Sequence, residues 1–292
     1  MTTISVSAGA PVKPRPSITA FGVALLRAQH QILEGGSIFK DPLAVRLLGE
    51  TDESVVRKDH PALKFPRLRQ FVAARSRFAE DTLAKAVKRG VRQYVVLGAG
   101  FDTFGLRNPH AGKGLRVFEV DRPASQGWKK RQIKIANYPI PPSLTFVPVN
   151  FERESFLDRL VESGFNKREP AFFTWLGVVF YLSRKTIRDT LATIATIPDA
   201  ELVFDYAMPL DSVPPRERVH YQGMMDRAAA AGEPWRSLFT PSEVKTGLSG
   251  LGFTEIEGLG PAEIGRRYFV EGRPMGGCIV RARKRKRGRK VP

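Results

Sequence analysis

Tyr94-Val95-Val96-Leu97-Gly98-Ala99-Gly100-Phe101-Asp102-Thr103 opens as a short β-branched apolar run and stops abruptly at two glycines. A run of this kind predicts a buried strand, and the glycines predict the turn that ends it. Open α/β sheets bind their ligands at such a turn, where the carboxyl end of a strand passes into helix. Gly98 and Gly100 remove side chains where a ligand must approach the backbone. A dinucleotide fingerprint puts its third glycine at position 103, which here is Thr103, so G-x-G-x-x-G fails and a pyrophosphate reading weakens. Turns use glycine for many reasons, and the loop alone does not decide between them.

Working outward, further strands are predicted at residues 116–120, 145–149, 171–175, 201–206, 254–258 and 277–281, separated by helix-patterned stretches at 122–135, 153–163, 183–197 and 241–251. Strands alternating with helices predict a mostly parallel sheet covered on both faces. Three helices precede the first strand. One starts near Ser17 with apolar residues at helical spacing, a second takes Asp41 as N-cap with Pro42 in its first turn, and a third runs from Pro66 to Arg89 and ends at Gly90. Residues 1–16, rich in Pro, Ser and Gly, are expected to be a disordered tail. Residues 206–241 break the alternation with prolines and then a helix-like run.

The 292 residues are 42% hydrophobic and include 19 Phe, enough for a packed core. The single cysteine excludes an internal disulfide framework, and the four dispersed histidines argue against a local metal motif. No apolar stretch approaches the roughly 20 residues that cross a bilayer, and the N-terminus lacks a secretory apolar region, so a cytoplasmic protein without membrane contact is expected. Of the net charge of +18, eight Lys or Arg fall in residues 281–292 without one acid. That run reads as a disordered basic tail, able to attract anions such as nucleic acid.

In Val117-Phe118-Glu119-Val120-Asp121 an acid ends the second strand, 21 residues after Gly100. A carboxylate at that spacing can accept both hydroxyl hydrogens of a ribose. The structural alternative is that Asp121 caps the next helix. Both a nicotinamide cofactor and S-adenosylmethionine carry such a ribose; the missing phosphate-cradling glycine separates them.

The chain resembles the leucine carboxyl methyltransferase family, and within it bacterial S-adenosylmethionine-dependent methyltransferases. The resemblance rests on ordered blocks between Ser17 and Leu182: Thr19-Ala20 with Arg27-Ala28, Phe39 to Ala44, Ala74-Arg75 with Phe78, Val96 to Thr103 with Leu106-Arg107, and Phe118 to Pro123. It implies a class I methyltransferase Rossmann-like fold, α/β, with a mostly parallel seven-stranded sheet. A single domain over residues 17–280 is implied, with N-terminal helices at 17–90, a cofactor-binding half at 91–182 and, at 206–241, either a lid over the substrate pocket or an ordinary connecting helix. S-adenosyl-L-methionine is the implied cofactor. Arg75 is similar to the family's arginine for the carboxylate of the cofactor's methionine part, a bidentate partner by chemistry. Gly98, Ala99, Gly100 and Asp121 correspond to its loop and ribose acid. Asn150 and Phe151 stand where relatives usually have Asp and Leu against the adenine; an amide oxygen and an aromatic ring suit that place. Arg27 and Tyr181 correspond to the substrate side. Leu176 departs from the pattern, because relatives commonly carry Glu there.

The implied reaction is in-line methyl transfer to a carboxylate or hydroxyl of a small molecule. An ionised carboxylate needs no general base, whereas a hydroxyl wants one, and Tyr181, Tyr206 and His220 qualify by type alone. The competing readings are a nucleic-acid-associated methyltransferase working through the basic tail, and a cofactor-binding protein impaired at Leu176.

Overall fold

The computed structural model describes residues 18–57, 65–151, 154–269 and 277–285; the tail expected at 1–16 lies outside them. Helices α1 (Ile18–Leu33), α2 (Ala44–Leu48), α3 (Asp52–Val55) and α4 (Pro66–Lys88) precede β1 (Gln93–Leu97). Helix α4 begins with Pro66, whose fixed φ and missing N–H suit a first turn, and stops where Gly90 takes φ +102°. Its 23 residues span roughly 34 Å, long enough to brace several strands. The N-cap expected at Asp41 is corrected. The first residue of α2 is Ala44, and Asp41 instead accepts the Leu43 N–H at 3.2 Å and the Thr103 hydroxyl at 2.8 Å.

After β1 come α5 (Phe104–Arg107), β2 (Arg116–Asp121), α6 (Pro123–Ile135), β3 (Leu144–Pro148), α7 (Phe156–Glu162), β4 (Ala171–Trp175), α8 (Arg184–Ile194) and β5 (Glu201–Tyr206). Helices α9 (Pro215–Ala230) and α10 (Pro241–Gly250), strand β6 (Glu255–Leu259), α11 (Pro261–Tyr268) and β7 (Cys278–Arg283) follow among the described residues. Local hydrogen bonds start two of the later helices: Ser183 accepts the Thr186 N–H at the start of α8, and Thr240 with Glu243 forms a reciprocal capping box at α10.

The seven strands form one sheet in the order β3-β2-β1-β4-β5-β7-β6. Strands β1 to β5 run parallel, while β7 is antiparallel to both β5 and β6. The order reverses at β1, which pairs β2 on one side and β4 on the other, so the carboxyl end of β1 is the topological switch point. Alternation along β1 sends Val95 and Leu97 into one apolar cluster with Phe118, Phe173 and Trp175, and Tyr94 and Val96 into another with α4. Both faces are covered, which is why these strands read as continuous apolar runs.

A third cluster matters for the site. Ala24, Leu25, Ala28, Ala44, Leu48 and Val55 gather the first three helices around Phe101 of the glycine loop. Phe101 meets Trp128 edge-on at 4.4 Å and Phe21 at 6.1 Å, so the loop is anchored in packed aromatics.

The disordered tail expected from residue 281 is corrected over residues 281–285. Arg281 pairs with Glu201 at 2.5 Å and Glu255 at 3.2 Å, Arg283 with Asp199 at 2.9 Å, and Arg285 with Glu255 at 2.5 Å. Lys284 donates to the Ala195 carbonyl. Of the eight basic residues in the run, Arg281 and Arg283 thus belong to the interior strand β7 and Arg285 is paired with an acid just after it, and residues 286–292 lie outside the described residues.

Candidate functional site

Gly98 and Gly100 occupy the left-handed region, at φ +65° and +48°, which costs other L-residues strain. A Cβ on Gly98 would stand 2.5 Å from Val178 Cγ2. The Gly98 and Ala99 N–H groups donate to the Val120 carbonyl at 2.8 and 3.2 Å, folding the loop over the end of β2. Asp121 then closes it: Oδ2 accepts the Gly100 N–H at 2.6 Å and Oδ1 the Arg122 N–H at 2.7 Å. Helix α6 has no side-chain cap, so the alternative role for Asp121 as a helix cap gives way to one at the loop. Burial pushes the Asp121 carboxyl above its ordinary pKa, against the two backbone donors.

Two buried acids brace this loop from behind. Asp41 faces Arg27 Nε at 3.0 Å, and Arg27 donates through Nη2 to the Phe101 carbonyl. Glu119 meets Lys129 Nζ at 2.5 Å, and Lys129 also donates to the Asp102 carbonyl. Burial pushes Glu119 up to about 7 although Lys129 opposes the shift.

Across the cleft, Arg75 of α4 forms a buried ion pair with Asp205 of β5, Nη1 to Oδ2 at 2.6 Å, with side chains 7% and 2% exposed. The other Asp205 oxygen accepts the Gly177 N–H at 2.6 Å. Gly177 sits at φ +73°, and a Cβ there would stand 2.9 Å from Arg75 Nη2. The backbone after β4 is thus held open against the guanidinium.

These parts face one cavity of about 1370 Å³, beyond the roughly 300–1,000 Å³ typical of one small-molecule site. Arg75, Gly98, Ala99, Gly100, Asp121, Asn150, Phe151, Arg27 and Tyr181, all named from sequence, line it. The Asn150 backbone N–H donates to Glu154 Oε2 at 2.7 Å, and Phe151 packs on Phe156 with ring centroids 6.0 Å apart. The far wall comes from α9 and the segments around it. Tyr221 and Trp235 stack edge-on at 5.4 Å, Phe180 lies 4.9 Å from Trp235, and Met224 lines the same side. Thr19 at the start of α1 donates its N–H to Glu233 at 3.2 Å, joining the two rims.

None of the three residues named as bases by type is poised for that task. Burial raises the pKa of Tyr181 and takes Tyr206 far above its ordinary value; His220 is an exposed residue beside Phe65. The Cys278 thiol, next to Tyr206, is pushed up to about 11 by burial. Among the described residues no group of three His, Cys, Asp or Glu comes together to hold a metal ion, and no helix is long and apolar enough to cross a membrane.

Sequence reasoning missed Asp205, Asp41 and the Glu119–Lys129 pair. Each carried one signal: a charged residue inside or beside an apolar run, which folding must pair when it buries it.

The model of the leucine carboxyl methyltransferase family matches residues 20–195. A Bacillus subtilis (strain 168) relative, by name the S-adenosyl-L-methionine-dependent methyltransferase YktD, is 32% identical over 282 residues, covering 88% of this chain and 92% of its own length. A Frankia alni relative with the same kind of name, FRAAL3718, is 28% identical, covering 80% of this chain and 92% of its own. In fold the chain is similar to a Thermobifida fusca YX protein described as a methyltransferase, with TM-score 0.61, 15% identity and coverage of 94% and 96%. A DUF574 family protein from Streptomyces avermitilis gives TM-score 0.58, 17% identity and coverage of 89% and 96%.

Proposed function

The chain belongs to the leucine carboxyl methyltransferase family, and from that premise we propose that it methylates an oxygen of a small molecule that brings its own negative charge, a carboxylate or an acidic hydroxyl. It is an S-adenosyl-L-methionine-dependent methyltransferase. The residues present suit the cofactor. Gly98 and Gly177 leave backbone cradles that a Cβ would fill, an aspartate stands at the ribose position, and an arginine is buried on the opposite wall.

In this reading Gly98 to Gly100 and Asp121 hold the adenosine ribose, Asn150 and Phe151 flank the adenine, and Arg75 takes the methionine carboxylate. When bound, S-adenosyl-L-methionine supplies an electrophilic methyl on a positively charged sulfur. The protein's contribution is to orient the acceptor oxygen on that methyl and to exclude water, an effect worth roughly 7–11 kcal/mol where it is fully realised. Residues 206–241 act as the lid, with Tyr221, Met224 and Trp235 forming an apolar wall against the acceptor; Arg27 braces the loop and Tyr181 lies on the acceptor side. Residues 17–280 then work as one domain, extended by β7 to Arg283.

One observation carries the choice of acceptor. Tyr181, Tyr206 and Tyr221, the tyrosines that line the cavity, have pKa values raised by burial, so they hold their protons at neutral pH. An acceptor that is already ionised needs none of them. Methyl transfer from labelled cofactor to a panel of carboxylic acids, acidic phenols and aliphatic alcohols tests this. Turnover confined to the ionised acceptors is expected; equal turnover of simple alcohols would overturn it. The nucleic-acid reading loses ground because Arg281, Arg283, Lys284 and Arg285 are bound by this chain's own acceptors.

A further inference from the structure

Leu176 stands where the resemblance implies an acid, and the sheet register shows what lies beside it. In the parallel β4–β5 ladder Trp175 pairs with Phe204, so one step further Leu176 is level with Asp205. Alternation turns Asp205 to the face opposite Phe204, where it meets Arg75 and the Gly177 N–H, each at 2.6 Å. A buried ion pair contributes little net stability against an apolar replacement. This one sits in a cavity wall, beside a backbone held open at Gly177.

The other acids lining the cavity are committed elsewhere. Asp121 accepts the Gly100 and Arg122 N–H groups, Asp102 accepts the Phe104 N–H, and Glu233 accepts Thr19. Asp205 is the acid at the Arg75 end.

We propose that Asp205 is the positioning residue for the α-ammonium of the cofactor's methionine part, working beside Arg75 for the α-carboxylate and supplying from β5 the acid that Leu176 lacks on β4. This rests on the cofactor reading above. An α-amino acid terminus carries one positive and one negative charge, and so does the Arg75–Asp205 pair. Docked side by side, each of the four charges gains a second opposite neighbour and none is left buried alone. The Gly177 N–H fixes the carboxylate before the ligand arrives, so little ordering remains to be done on binding. In these terms Leu176 marks a relocated acid, and the impaired-binder reading loses its basis.

The test is calorimetric titration of the full chain with S-adenosylhomocysteine and with 5′-methylthioadenosine, which lacks the amino acid terminus. For Asp205→Asn, affinity for S-adenosylhomocysteine is expected to fall on the order of tenfold to a hundredfold, with 5′-methylthioadenosine unchanged within about twofold. An equal loss for both ligands, or no loss for either, overturns the proposal. Should Asp205→Asn fail to fold, wild-type protein is titrated with the desamino analogue of S-adenosylhomocysteine. A loss of about tenfold or more relative to the parent supports the ammonium seat, and equal affinity overturns it. Wild-type protein that binds neither adenosyl compound defeats the cofactor reading itself, a different outcome from the loss confined to one ligand.

Discussion

Asp121 Oδ2 accepts the Gly100 N–H at 2.6 Å, tying the end of β2 to the loop that leaves β1. That bond crosses the switch point of the sheet and sets the distance between glycine backbone and carboxylate. The same carboxylate takes the Arg122 N–H on its other oxygen, so its orientation is set twice. Packing of Phe101 among the N-terminal helices holds the loop from the opposite side. The seat is therefore built before a ligand enters, which lowers the cost of binding.

Gly98→Val is expected to damage both fold and site. The new Cβ would stand 2.5 Å from Val178 Cγ2 at a φ of +65°, which costs on the order of 1–3 kcal/mol in strain. Gly112→Ala is the control, because nothing lies within 4 Å of its Cβ. Urea denaturation checks this: a large fall in midpoint for the first and a near-neutral second are expected.

Stability should depend on pH through Glu119. Its pKa rises from 4.5 to about 7 on folding, so between those values the folded state binds the proton more tightly. Its favourable contribution is complete below pH 4.5 and is lost as pH rises through about 7. Against a Glu119→Gln variant measured in parallel, the wild-type protein should lose about 3 kcal/mol of relative stability from pH 4.5 to 7.5. A relative stability that rises with pH would contradict the burial argument.

Arg281→Ala should destabilise the protein by about 1–3 kcal/mol. It leaves Glu201, whose side chain is 1% exposed, with Arg89 as its remaining ion-pair partner. A residue of a solvated tail would change stability by less than about 0.5 kcal/mol. Thermal denaturation of the single variant separates the two.

Trp235→Ala should alter the acceptor side alone. Trp235 stacks with Tyr221 and Phe180 in the cavity wall next to α9. The KM for an identified acceptor is expected to rise on the order of tenfold or more, with affinity for S-adenosylhomocysteine unchanged within about twofold. Parallel losses in both would place Trp235 in the general scaffold.

Much of this architecture was legible because its strands are short apolar runs bounded by turn residues. Those at 171–175 and 201–206 are read with the bounds the structure shows. The antiparallel insertion of β7 between β5 and β6 leaves no local mark, since strand order is a tertiary fact. Helix α11 is not predicted, because eight residues that begin at Pro261 and include Gly265 are too short a segment to stand out from a loop. Arg281 and Arg283 read as tail because their acids at 199, 201 and 255 are distant in sequence. At the site, the glycine loop and Asp121 were legible by spacing. Asp205 was not, because a lone acid inside the strand read at 201–206 carries no sign of its partner until Arg75, 130 residues away in sequence, is seen facing it.

The most direct measurement of the central claim is calorimetric titration of wild-type protein and Asp121→Ala with S-adenosylhomocysteine, with NAD as control. The account requires micromolar affinity for the adenosyl compound, about 8 kcal/mol, a fall of about tenfold or more in the variant, and no comparable heat from NAD. Wild-type protein that ignores S-adenosylhomocysteine, or binds NAD equally well, would contradict it.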